Sequence, residues 1–167
     1  MRRTREGKRP TSTPRSGSGP VGKTAVIAMR ERGGRTIAIP AENVDMHTVH
    51  RAIFANVELG ATLHTDESTV YNRLDGLFFG HATVNHSAGE FVRGDVTTNG
   101  VESVFAVFKR GLIGVYHHVN PDHLRRYIDE FTFRLNDGNV RRHTVARLDS
   151  MIDGTAGKRL TYKGLIQ

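Results

Sequence analysis

Asp66, Glu102 and Lys109 are the residues of this 167-residue chain whose types and spacing suit chemistry. Asp66 closes the short run Ala61-Thr62-Leu63-His64-Thr65, which reads as a strand. Thirty-five residues separate it from Glu102, and Lys109 follows seven residues after that. Both lie in Asn99-Gly100-Val101-Glu102-Ser103-Val104-Phe105-Ala106-Val107-Phe108-Lys109-Arg110, whose apolar spacing predicts a helix. Seven residues are almost two helical turns, so Glu102 and Lys109 share a face. A strand-end carboxylate, a helix carboxylate and a nearby ammonium suit a divalent metal and a phosphodiester. The metal needs hard oxygen ligands, and the phosphate needs a cation. Two-metal chemistry on phosphates wants a third carboxylate, and no good candidate lies upstream of Asp66.

Each residue also has an ordinary structural role open to it. Asp66 suits the cap of a short helix that follows. Asn99 with Glu102 three residues later has the spacing of a capping box. Lys109 and Arg110 are favourable partners for the end of a helix dipole. The functional case therefore rests on the three together.

Two other patterns carry less. Gly17-Ser18-Gly19-Pro20-Val21-Gly22-Lys23-Thr24 matches a phosphate loop letter for letter. That loop works between a strand and a helix, whereas here a charged tail precedes it and a β-like run follows. Pro20 also removes one amide, so the match reads as accidental. The nine histidines are scattered and the chain has no cysteine, which argues against a zinc site. His117 and His118 are adjacent and must diverge. His86, beside Asn85, suits either a structural hydrogen bond or a contact to DNA.

Charge is unevenly spread. Residues 1–23 hold seven Lys or Arg against Glu6 alone, so +6 of the net +7 lies there. Such a segment favours nucleic acid through counterion release, or is simply a solvated end. No apolar run reaches the roughly 20 residues of a membrane span, and no secretory signal follows the first arginines. The lack of cysteine fits a reducing cytoplasm.

The elements that would position the three residues follow from pattern. Residues 24–29 and 36–40 predict a hairpin turning at residues 32–35. Asp45 caps a helix running to about Val57, with Val49, Ala52, Ile53 and Val57 inward. Gly60 resets the chain into the strand before Asp66. Residues 68–74 form a short helix or turn, residues 78–85 are irregular with a possible small strand, and residues 94–98 connect. A helix from about Val101 to Arg110 buries Val101, Val104, Phe105 and Phe108, and Gly111 ends it. Asn120 and Pro121 open the next helix, with Leu124, Tyr127, Ile128, Phe131 and Leu135 inward and Asp137-Gly138 as the stop. Residues 140–152 predict a weaker helix before Gly154. The order implies an α/β sheet flanked by helices.

The wording of the second half is specific. His81-Ala82-Thr83-Val84-Asn85-His86-Ser87, Gly89-Glu90-Phe91-Val92-Arg93-Gly94-Asp95-Val96-Thr97-Thr98-Asn99, Val101-Glu102 and Phe108-Lys109-Arg110-Gly111 closely resemble the ISXO-type transposases. So do Tyr116-His117-His118-Val119 and His123-Leu124-Arg125-Arg126-Tyr127-Ile128-Asp129-Glu130-Phe131-Thr132-Phe133-Arg134-Leu135-Asn136. This is a bacterial insertion-sequence family within the DDE superfamily, and the likeness runs from about Gly19 to Asn136.

The resemblance implies a ribonuclease H-like mixed sheet with flanking helices and metal-dependent DNA cleavage and strand transfer. Mg²⁺ or Mn²⁺ would be the cofactor, and double-stranded DNA at insertion-sequence ends the partner, with a homo-oligomer possible. Asp66 matches the second catalytic aspartate. The third role falls to Glu102 or Asn99, with the spacing to Lys109 favouring Glu102. Asp66 and Glu102 would hold the metal, Lys109 a DNA phosphate, and Arg93, Lys109, Arg110 and His86 would contact DNA.

In that family the first aspartate precedes the hairpin. Here no Asp precedes Asp45, which sits at a helix start after it. The expectation is therefore a fragment without its first strand and without the zinc-binding and DNA-recognition segments of full-length relatives, catalytically incomplete alone. Its parts would be a disordered basic tail (1–22), a partial catalytic domain (23–153) and a C-terminal extension (154–167). The alternative is a non-catalytic DNA-associating remnant that acts through the tail.

Overall fold

The computed structural model describes residues 24–74, 80–138, 141–159 and 161. The expected tail and nearly all of the phosphate-loop pattern lie outside these residues. The described chain is α/β, in the order β1 (Ala25–Arg30), β2 (Thr36–Ala41), α1 (Met46–Asn56), β3 (Thr62–Thr65), β4 (Gly80–Thr83), β5 (Val92–Arg93), β6 (Val96–Thr97), α2 (Asn99–Gly111), α3 (Leu124–Asn136) and α4 (Thr144–Thr155).

β1 and β2 pair antiparallel from Ala25↔Ala41 to Arg30↔Thr36. Gly33, at φ +71°, supplies the left-handed residue of the turn between them. Pro40 has no amide to donate, which an outer strand tolerates. Alternation gives the hairpin two apolar faces. Ile27 and Met29 join the buried cluster of Val49, Ile53 and Leu74 beneath α1. Val26, Ala28 and Ala38 face Val104 of α2 and Ile128 of α3. The hairpin is thus the middle layer between α1 and the α2–α3 pair. Asp45 caps α1 as expected, its Oδ1 accepting the Thr48 amide at 2.8 Å.

β3 and β4 pair in parallel, Thr62↔Gly80 to Thr65↔Thr83. Leu63 reaches the α1 cluster that Ile27 and Met29 also enter. The expected α/β class holds, but among the described residues the strands form three two-stranded sheets. The third is the β5–β6 hairpin, which occupies part of the stretch expected to be only a connection. Strands of two residues leave no alternation to read.

The start of α2 differs from expectation. It begins at Asn99, with Thr98 in the cap position. The α-helix ends at Gly111 as expected, but without a left-handed cap: Gly111 is right-handed (φ −64°, ψ −44°) and leads into a π-helical turn, Leu112–Tyr116. A Cβ on Gly111 would lie 2.0 Å from Phe131 Cζ. The glycine is there to let α3 come close. Phe108 and Phe131 meet edge to face at 5.1 Å in the same seam. α3 follows a 3₁₀ turn, Pro121–His123, whose cap is the Asn120 side chain. α4 begins later than expected, at Thr144, and runs through Gly154.

Candidate active site

The site grows from the end of β3. Thr65 is buried, and its hydroxyl donates to the Asp66 carbonyl at 2.8 Å. The same hydroxyl meets His81 Nε2 on the neighbouring strand, also at 2.8 Å. Asp66 is half-buried. Its Oδ1 accepts the Ser68 amide at 3.0 Å, an Asx turn that leads into the 3₁₀ turn Thr69–Tyr71. Burial, and then the charge of Asp66, pushes the Tyr71 phenol above its ordinary value.

Glu67 reaches the turn after β4. Its carboxylate accepts the His86 and Ser87 amides, each at 2.9 Å, and the Ser87 hydroxyl. The Ser87 hydroxyl leads the causes that draw its carboxyl down to about 2, with the amides adding to it. His86 sits on a 3₁₀ turn, His86–Ala88. Its ring tilts against Phe91 at 5.3 Å. Its Nε2 lies 3.1 Å from Thr98 Oγ1 and 3.6 Å from Glu102 Oε1.

Glu102 occupies the first turn of α2, about half exposed at 49 %. An acid there is favoured by the helix dipole. Thr98 Oγ1 donates to Glu102 Oε1 at 2.7 Å. The capping box expected of Asn99 and Glu102 is not formed, because Asn99 is already inside the helix. The Val101 and Glu102 amides bond instead to the Thr98 carbonyl, at 3.0 and 3.1 Å. Glu102 is thereby released from the structural role its spacing suggested.

Asp66 and Glu102 are thus joined by a bridge: Asp66 is followed by Glu67, Glu67 holds His86, and His86 touches Glu102. Asn99 is exposed, one turn before Glu102. Lys109 and Arg110 are exposed in the last turn of α2; Lys109 lies about 10 Å along the axis from Glu102. Arg93 donates to the Thr83 carbonyl and lies 4.0 Å from Glu90 Oε1. Arg93 therefore pins β5 to the end of β4.

The donors suit a hard cation in type but fall short in number. Among the described residues no three His, Asp or Glu side chains gather to hold a metal. A hard cation takes about six oxygen ligands, so Asp66 and Glu102 alone would not complete its shell.

The sequence model of the ISXO2-like transposase domain family matches residues 2–136. The chain belongs to this family. It is a family of insertion-sequence transposases of the DDE type, so the transposase domain takes in β1 through the last residue of α3 and leaves α4 outside. The match begins earlier than the likeness first seen from about Gly19. No curated protein matches the chain, and no solved structure does. Among the described residues no helix is long and apolar enough to cross a membrane.

Three contacts of the site escaped the sequence. Glu67 stands beside Asp66, but its contacts lie 19 and 20 residues away, and no local pattern announces them. The His81–Thr65 pair crosses two strands and is equally silent. Thr98 left a signal, since its spacing of four from Glu102 is a helical neighbour relation.

Proposed function

We propose that this transposase domain processes DNA at insertion-sequence ends, with Asp66 and Glu102 as the residues that would hold Mg²⁺ or Mn²⁺. The family match supports this reading, and the observation that carries it is the Glu67–His86 bridge between the Asp66 loop and Glu102. In it the hairpin, α1, the β3–β4 pair and α2 are parts of a ribonuclease H-like arrangement. A divalent cation supplies Lewis-acid stabilisation to a phosphodiester oxygen when bound. Lys109 and Arg110, exposed in the last turn of α2, meet DNA phosphates, and Arg93 is a further contact to DNA. Asn99 is the alternative to Glu102 in the third role.

No Asp precedes Asp45 in the 167 residues, so two carboxylates serve where three are wanted. The polypeptide then binds cation and DNA without cutting. Purified chain, Mn²⁺ and labelled insertion-sequence ends test this. Cation-dependent DNA binding without cleavage is expected, weakened by Asp66→Asn or Glu102→Gln. Cleavage that disappears on Asp66→Asn would overturn the claim of inactivity, and binding indifferent to both substitutions would overturn the site.

The +6 charge of residues 1–23 favours a second reading, DNA association through that segment. Log affinity should fall with log salt by about 0.9 per phosphate neutralised. Deleting residues 1–23 should flatten the slope, and an unchanged slope and affinity rejects the idea.

A further inference from the structure

The contacts around Glu102 have a direction. Thr98 has one hydroxyl proton, and the Glu102 carboxylate takes it at 2.7 Å. A hydroxyl that has given its proton can meet another polar group only as an acceptor. His86 Nε2, 3.1 Å from the same oxygen, must therefore carry a hydrogen. That nitrogen also lies 3.6 Å from Glu102 Oε1. His86 is itself held: its amide donates to Glu67 Oε2 at 2.9 Å, and its ring rests on Phe91. Thr98 is buried, with 8 % exposure. A long, half-exposed side chain is thus gripped at one oxygen by a buried hydroxyl that has its own fixed donor.

We propose that His86 is the positioning residue for Glu102. Its Nε2–H orients the Thr98 hydroxyl toward Glu102 Oε1, so that Oε2 is the oxygen offered to a cation. The role rests on the reading of Glu102 given under Proposed function, and it takes His86 from DNA contact to carboxylate alignment. The same proton order recurs at the other acid. Thr65 donates to the Asp66 carbonyl and receives His81 Nε2 at 2.8 Å. A histidine–threonine pair therefore steadies the chain at each end of the bridge.

Nuclear magnetic resonance on the full chain without metal gives the first test. Couplings along Glu102 Cβ–Cγ should report one rotamer in the wild type. His86→Ala should average them while the Val49 and Ile128 methyl shifts stay in place. His86→Gln, whose amide can supply a donor near the Nε2 position, should restore the single rotamer, and Thr98→Ser should keep it where Thr98→Val does not. A single Glu102 rotamer surviving in His86→Ala overturns the proposal, as does averaging that His86→Gln leaves uncorrected.

Mn²⁺ titration, read by paramagnetic broadening at Asp66 and Glu102, is the second test. His86→Ala should weaken binding about 10–100-fold, the usual effect of removing a partner that orients a ligand. Broadening that neither Asp66→Asn nor Glu102→Gln alters would overturn the cation site instead. The metal-free rotamers would still decide the positioning role.

Discussion

Asn136, the last residue of α3, stitches that helix to β2. Its Oδ1 accepts the Thr36 amide and its Nδ2 donates to the Thr36 carbonyl, both at 2.8 Å, across 100 residues of chain. The side chain therefore acts as one more residue of strand against β2. Thr36 is 3 % exposed, so water is a poor substitute for either bond. Asn136→Ala would leave a buried N–H and a buried C=O without partners. Each such loss costs about 1–3 kcal/mol, and partial relaxation at the end of a strand brings the sum to about 3 kcal/mol.

Urea denaturation reads this directly. With a slope of about 2 kcal/mol/M, the midpoint should fall by about 1.5 M. Hydrogen exchange gives the local check, since the Thr36 amide should lose protection more than its neighbours in β2. Asn136→Asp separates geometry from chemistry. It keeps the acceptor, loses the donor and sets a carboxylate against a carbonyl, so it should do no better than alanine. An Asn136→Ala protein within about 0.5 kcal/mol of the wild type, the range of ordinary surface changes, would refute this account of the α3–β2 joint.

Glu67 predicts a pH dependence. Its carboxyl is held at about 2 against an ordinary 4.5, so its stabilisation is complete above pH 4.5 and fades as pH falls toward 2; the melting difference between wild type and Glu67→Gln should shrink over that window, and a constant difference would count against the clamp. Gly111→Ala puts a methyl into the Phe131 ring and should cost about 1–3 kcal/mol by urea unfolding; Phe131→Leu in the same chain should recover part of it, and an unaffected single variant would mean the helices separate freely. Asp45→Ala should lower the thermal midpoint while Asp45→Asn stays near neutral; equal losses would deny the cap its role.

What was legible in the sequence was local. The cap at Asp45 and the inward set Val49, Ala52 and Ile53 are contained within one helix, and they read correctly. The acid at the end of β3 and the acid on α2 were visible for the same reason. Gly111 ends α2 as its place after an apolar run suggested, but its second role, admitting the Phe131 ring, could not be read locally. The ring that needs the space comes 20 residues later. Asn99 misled because its spacing from Glu102 satisfies the capping box, while Thr98, one residue earlier, bonds to Glu102 at the helical spacing of four. Glu67 and His86 could not be paired in advance, since their contact depends on how β3, β4 and the turn after β4 come together.

The sheet itself does little to place the two acids. β1–β2 and β3–β4 are separate ladders, and a two-stranded unit is marginal alone. They are held in one body by apolar packing, because Ile27, Met29 and Leu63 enter the same cluster with Val49, Ile53 and Leu74. Such packing is strong but not directional, so it fixes β3 near the hairpin without fixing where Asp66 stands relative to Glu102. Hydrogen bonds supply that direction. Glu67 ties the residue after Asp66 to the turn carrying His86, and His86 with Thr98 ties that turn to Glu102. The apolar cluster thus holds the ladders together, and the polar bridge, which adds stability of its own through Glu67, sets how the Asp66 loop stands against Glu102. Substitutions in one should be separable by measurement from substitutions in the other.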